Sequence, residues 1–135
     1  MLQVKTCSTE TIVEKTILVI DDSEVALEII TDDLTEAGFS VLSAASSTEA
    51  YNIIQTGYKP DLILVDVMMP GMNGDEFCRL VKSRPQSRDI PIVFVSTKEE
   101  SELAEMIQRT GANGFIRKAS FTSGRVAQLL QNFSK

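Results

Sequence analysis

A chain of 135 residues with 43% apolar and 24% charged positions can bury one core and is short for two ordinary domains. Its net charge of −6, with no basic stripe, speaks against nucleic acid as the main partner, and the absence of histidine removes Ser/His/Asp and Cys/His catalysis, histidine-ligated zinc and a phosphohistidine of its own. No apolar run reaches the roughly 18–20 residues of a membrane span, Met1 to Glu14 lack the apolar stretch of a signal peptide, and Cys7 and Cys78 make no disulfide framework, so a cytoplasmic chain with reduced thiols and no membrane partner is expected.

Residues 1–15 carry no clear period and read as a loose leader, which leaves 16–135 as the domain. Ile17-Leu18-Val19-Ile20 is a short apolar run that suits a strand buried on both faces. Ser23 to Ala37 follows as a helix with Leu27, Ile30 and Leu34 on one side and Gly38 placed to end it. Phe39–Ala45 is a second strand, and Ser46 with Glu49 has the spacing of a capping box for a helix ending at Gly57. Leu62 to Val65 is a third strand. Asn73 and Glu76 open the next helix, with Phe77, Leu80 and Val81 facing inward. After a polar loop from Arg84 to Asp89, Pro91–Val95 is a fourth strand; Thr97 and Glu100 have capping-box spacing before a helix to Thr110. Gly111 to Gly114 turns into a fifth strand, Phe115 to Arg117, and a last helix spans about Thr122 to Phe133.

Buried strands alternating with helices imply an α/β fold with a parallel sheet covered on both faces by right-handed crossovers. Such sheets bind ligands at the carboxyl ends of their strands. Those ends carry Asp21-Asp22 after the first strand, Asp66 after the third, Ser96 after the fourth and Lys118 at the end of the fifth. Three carboxylates in one cleft repel one another, and a hard divalent cation such as Mg²⁺ resolves the repulsion with oxygen ligands and a shared phosphate. The set suits phosphoryl transfer, with a carboxylate as nucleophile, Ser96 as a donor and Lys118 as a second neutralising charge. Each residue has a plainer reading: Asp21, Asp22 and Ser23 as a helix opening, Asp66 as a strand end, Ser96 as a cap for the helix after it, Lys118 as a solvated lysine. The functional reading is preferred because four strand ends converge.

In Ile17-Leu-Val-Ile-Asp21-Asp22-Ser23, Asp61-Leu-Ile-Leu-Val-Asp66-Val-Met-Met-Pro70-Gly71-Met-Asn-Gly74, Pro91-Ile-Val-Phe-Val-Ser96-Thr97 and Gly111-Ala-Asn-Gly-Phe115-Ile-Arg-Lys118, the chain resembles the receiver domain of two-component response regulators, from Thr16 to about Phe133. The resemblance implies a doubly wound, flavodoxin-like five-stranded sheet in the order 2-1-3-4-5. It implies that Asp66 is the phosphoryl acceptor, that Asp21, Asp22, Asp66 and the backbone carbonyl of Met68 hold Mg²⁺ (or Mn²⁺ in its place), and that Asp22 is a direct ligand. It makes Ser96 the switch hydroxyl, Phe115 the switch aromatic and Lys118 the partner of the phosphoryl group. The implied donor is a histidine kinase or histidine phosphotransfer protein. The implied output is a protein target met through the fourth helix, fifth strand and fifth helix. Ala119 stands where the family usually has proline, so the peptide after Lys118 is expected to be trans.

With no segment after Lys135 to carry an output, the chain is expected to be a stand-alone receiver or a piece of something longer. It is read as catalysing only its own phosphorylation and slow self-dephosphorylation, because Met68, Thr97 and Lys98 orient water poorly near Asp66. Two alternatives stand beside this reading. An aspartyl-nucleophile phosphatase would carry a second acid where Met68 stands. A receiver that works without phosphorylation would not need Asp22, Asp66, Ser96 and Lys118 together.

Overall fold

The computed structural model describes residues 15–133. Its elements run β1 (Thr16–Ile20), α1 (Glu24–Glu36), β2 (Ser40–Ala44), α2 (Ser47–Gln55), β3 (Leu62–Asp66), α3 (Gly74–Lys82), β4 (Ile92–Ser96), α4 (Glu100–Thr110), β5 (Gly114–Arg117), a 3₁₀ turn (Lys118–Ser120) and α5 (Ser123–Phe133). The strands form one parallel sheet in the order β2-β1-β3-β4-β5, the order that the resemblance to receiver domains implied. Residues 1–14, with Cys7 and all but the last residue of the expected leader, lie outside the described residues.

The apolar strands make two cores because successive side chains point to opposite faces. Leu18, Ile20, Ile63, Val65, Ile92 and Phe94 pack on one side against Ala50 and Ile54 of α2, Phe77 and Val81 of α3, and Leu103 and Met106 of α4. Ile17, Val19, Leu62, Leu64, Val93, Val95 and Ile116 pack on the other against Ile30 and Leu34 of α1 and Val126 and Leu130 of α5. Each fully buried Leu, Ile or Phe contributes about 1.5–3 kcal/mol over its exposed state. Among the described residues no helix is long and apolar enough to cross a membrane.

Several expectations change: β3 and β4 each run one residue further, taking in Asp66 and Ser96. The second strand spans Ser40–Ala44 rather than Phe39–Ala45, and it is not buried throughout: only Ala44 is, because β2 is an edge strand with one neighbour. Thr97 does not open α4. The extended residue before that helix is Glu99, whose N–H donates to Glu102 Oε1 at 3.3 Å, while Ser96 Oγ accepts from the Lys98 N–H at 3.1 Å and keeps 97–98 outside the helix. Lys118 begins the 3₁₀ turn after β5 rather than ending the strand. Elsewhere the boundary residues act as read. Ser23, Ser46 and Asn73 accept the third N–H beyond them, at Ala26, Glu49 and Glu76. Of these three the full capping box forms at Asn73 alone, since Glu49 reaches the N–H of Ala45 instead of Ser46.

Candidate functional site

All five strands point the same way, so the residues that end β1, β3, β4 and β5 share one edge. The ladder aligns Ile20 with Val65, Asp66 with Val95, and Ser96 with Arg117. Asp21 therefore lies beside Asp66, with Ser96 one residue beyond Asp66's partner. Asp21 is 2% exposed and Asp66 7%, whereas Asp22 is exposed. One carboxylate oxygen from each of the three lies within 4.8 Å of the others.

Hydrogen bonds fix two of these carboxylates. Asp21 Oδ1 accepts from the Ser23 N–H at 3.0 Å, and Asp66 Oδ1 from the Met68 N–H at 3.3 Å. Lys118 Nζ lies 3.0 Å from Asp21 Oδ2 and 3.7 Å from Asp66 Oδ2. The lysine joins the cluster as expected, but its shorter contact is with Asp21. Its peptide bond to Ala119 is trans.

One ammonium against three carboxylates leaves the cleft negative. Burial, then the neighbouring Asp21 charge, push Asp66 up to about 6, against the pull of Lys118 and the Met68 N–H. Burial alone would lower the Lys118 pKa, but the hydrogen bond to Asp21 and the two carboxylate charges outweigh it and hold the ammonium above its usual range. Oxygen-only donors, a mouth opened by exposed Asp22 and an acid pushed upward for want of positive charge fit a hard divalent cation. Cys78 is no rival nucleophile: burial raises its pKa and its Sγ donates to the Thr110 carbonyl at 3.8 Å.

The remaining predicted residues surround this cluster. Ser96 is fully buried and its hydroxyl faces the Lys98 N–H rather than Asp66. Phe115 is half-buried, opposite Phe94 in the ladder and packed against the α2–α3–α4 core. The Met68 side chain is 62% exposed at the rim.

Two further residues shape the site. A Cβ on Gly74 would lie 2.7 Å from the Asp66 carbonyl oxygen and 3.0 Å from Val67 Cα, so only glycine lets α3 begin against the acceptor's own backbone. The glycine stood in the sequence motif, but not the reason for it. Arg117 donates from Nε to the Lys98 carbonyl at 3.1 Å and approaches Glu99 Oε1 at 3.7 Å, tying β5 to the loop after Ser96. No motif signalled that tie.

A family model, response regulator receiver domain, matches residues 17–131. The phosphate regulon transcriptional regulatory protein PhoB of Pseudomonas aeruginosa is 37% identical over 117 residues, 87% of this chain and 51% of its own length. The DNA-binding response regulator MtrA of Mycobacterium tuberculosis is 32% identical, over 76% of this chain and 43% of its own. The chain thus spans about half the length of the curated relatives it matches. Among solved structures, the chemotaxis protein CheY4 of Vibrio cholerae superposes with a TM-score of 0.79 at 30% identity, over 90% of this chain and 99% of that one. The receiver domain of a signal transduction histidine kinase from Syntrophus aciditrophicus does so with a TM-score of 0.77 at 28% identity, over 88% and 89%. With sheet order, strand-end chemistry and matched span in agreement, the chain belongs to the response regulator receiver domains, the phosphorylation-activated switches of two-component systems.

Proposed function

We propose that Asp66 is the phosphoryl acceptor of this switch and that a phosphohistidine on a partner kinase or phosphotransfer protein is the donor. The observation that carries the assignment is the position of the Asp66 carboxylate, at a strand end between the Asp21–Asp22 pair and the Lys118 ammonium. Asp21, Asp22, Asp66 and the Met68 carbonyl would hold Mg²⁺, or Mn²⁺ through the same oxygen donors. When bound, the ion neutralises charge on the phosphoryl oxygens. An Asp66 oxygen attacks phosphorus, the bond from phosphorus to the donor imidazole breaks, and the imidazole leaves with its electron pair. These 135 residues contain no histidine, so the donor phosphohistidine lies outside them. This reading places the chain in the cytoplasm beside that donor.

Lys118 meets the new negative charge from its place at Asp21. Ser96 gives up the Lys98 N–H and turns its hydroxyl to a phosphoryl oxygen, and Phe115 turns into the space behind it. The face built from α4, β5 and α5 is remodelled for a protein target, a local charge change read by a two-state element. Turnover is limited to the chain's own phosphorylation and its slow loss, since the Met68 thioether at the rim orients water poorly. The expectation of no nucleic-acid partner rests on the charge of this chain alone.

The test is intact-mass measurement after incubation with acetyl phosphate and Mg²⁺. The parent protein gains one phosphoryl group and Asp66→Asn gains none while keeping its fold. Undiminished phosphorylation of Asp66→Asn would assign the acceptor elsewhere.

A further inference from the structure

A second concave site lies at the opposite pole of the sheet. Residues 57–59 precede β3 and residues 84–87 lie between α3 and β4. In a parallel sheet both stretches sit at the amino ends of the strands, one strand length, roughly 16 Å, from Asp66. Between them and the end of α2 is a cleft of about 270 Å³ whose lining includes Tyr51, Ile54, Tyr58, Lys59, Arg84 and Gln86.

Its walls and charge point to one kind of ligand. Tyr51 and Tyr58 are half-buried, and phenol rings in that setting offer apolar faces with polar tips. Ile54, 8% exposed, is buried beside them. No carboxylate lines the cleft, whereas Lys59 and Arg84 do, in a chain of net charge −6. Among the described residues neither cation has an ion-pair partner, although Arg79, Arg109, Lys98, Arg117 and Lys118 each have one.

Arg84 is also held in place. Its Nε donates to the Tyr51 hydroxyl, and its guanidinium carbon lies 5.8 Å from the centre of the Tyr51 ring. That contact uses Nε and leaves both terminal amino groups without a partner among the described residues. A planar guanidinium whose terminal edge, with its two amino groups, is free is shaped for a carboxylate. The volume falls just below the usual range for drug-sized ligands, which limits the occupant to one or two rings.

We propose that this cleft binds a small planar aromatic acid, its ring against Tyr51 and Tyr58 and its carboxylate on Arg84 and Lys59. The site shares no residue with the phosphorylation cluster and does not depend on the assignment of Asp66. The plainer reading makes Arg84 a solvated side chain resting on Tyr51, and it predicts no saturable binding.

The test uses 1-naphthoate as the probe on the full chain, followed by two-dimensional NMR. Saturable shifts confined to Tyr51, Tyr58, Lys59 and Arg84, including the Arg84 Nε–H, are expected. Arg84→Gln should weaken binding about tenfold or more, as should replacing the probe by uncharged 1-naphthamide, because each removes a charge-assisted hydrogen bond. Lys59→Gln should weaken it to a smaller extent. Retained phosphorylation of Arg84→Gln by acetyl phosphate would establish that the variant is folded. Absence of saturable shifts, equal affinity in Arg84→Gln, or equal displacement by inorganic phosphate would each overturn the proposal.

Discussion

Asp66 shows how one buried charge sets both chemistry and stability. Burial and Asp21 raise it from an ordinary 3.8 to about 6, so between those values the folded chain holds more protons than the unfolded one. Stability is then greatest below the unfolded value and is lost as pH rises through the folded one. The difference corresponds to roughly 2–3 kcal/mol. In the presence of chelator, urea unfolding should show the parent losing about that much between pH 4 and 7 relative to Asp66→Asn, which should be the more stable protein at pH 7. A less stable Asp66→Asn at neutral pH would contradict the shift. Gly74 gives a second test. In a helix interior alanine is favoured over glycine by about 1 kcal/mol, but here its Cβ meets backbone atoms at 2.7 and 3.0 Å. Forcing atoms into a packed site costs about 1–3 kcal/mol, so Gly74→Ala should melt earlier and take up phosphate more slowly from acetyl phosphate. A variant of higher melting temperature would show that the backbone yields. The acidic residues were legible in sequence because strand topology alone sends Asp21, Asp22 and Asp66 to one edge. The nearer partner of Lys118 and the reason for Gly74 were not, since both depend on separations of a few ångströms between segments far apart in the chain.

At the scale of elements, the central strands were legible as apolar runs because each is covered twice. The start of α4 was not. Thr97-x-x-Glu100 and Glu99-x-x-Glu102 offer the same spacing two residues apart, and the choice falls to Glu99 because the Ser96 hydroxyl takes the Lys98 N–H. The junction of α3, β4 and β5 also depends on a side chain that no pattern flagged. Lys82 Nζ donates to the carbonyls of Arg88 and Ile90 at 3.1 and 2.8 Å and to Asn113 Oδ1 at 2.9 Å, and burial lowers its pKa. Lys82→Met keeps the aliphatic stem but takes the ammonium from the exposed Arg88 carbonyl and the part-buried Ile90 carbonyl, while Asn113 Oδ1 keeps the Ile92 N–H at 3.0 Å. An unmet buried acceptor costs about 1–3 kcal/mol. Thermal melting should therefore fall by a few degrees while phosphorylation at the other end of the sheet persists. An unchanged melting temperature would mean that water replaces the ammonium.

For the whole molecule, strand polarity places two groups of side chains: Asp21, Asp22 and Asp66 gather where strands end, and Lys59 and Arg84, without ion-pair partners among the described residues, lie with Tyr51 and Tyr58 where two strands begin. The order 2-1-3-4-5 came from the resemblance to receiver domains, whereas the parallel sheet and the first pole were legible from the alternation of elements. The second pole was not, because Tyr51 and Arg84 are 33 residues apart and form no motif. If Asp21, Asp22 and Asp66 hold the cation, Mg²⁺ binds the folded chain alone and stabilises it by mass action, by about 2.7 kcal/mol at a hundredfold excess over Kd. Added Mg²⁺ should raise the urea midpoint of the parent and do far less for Asp22→Ala. Equal stabilisation of both would remove Asp22 from the ligand set.

The shorter contact of Lys118, at 3.0 Å to Asp21 against 3.7 Å to Asp66, gives the site a memory of its resting geometry. The group that tethers the ammonium is not the group proposed to change covalently, so the proposed reaction leaves the tethering carboxylate itself chemically unchanged. If Asp66 becomes an acyl phosphate, the cation that faces it is already held at Asp21 and need not be recruited from solvent.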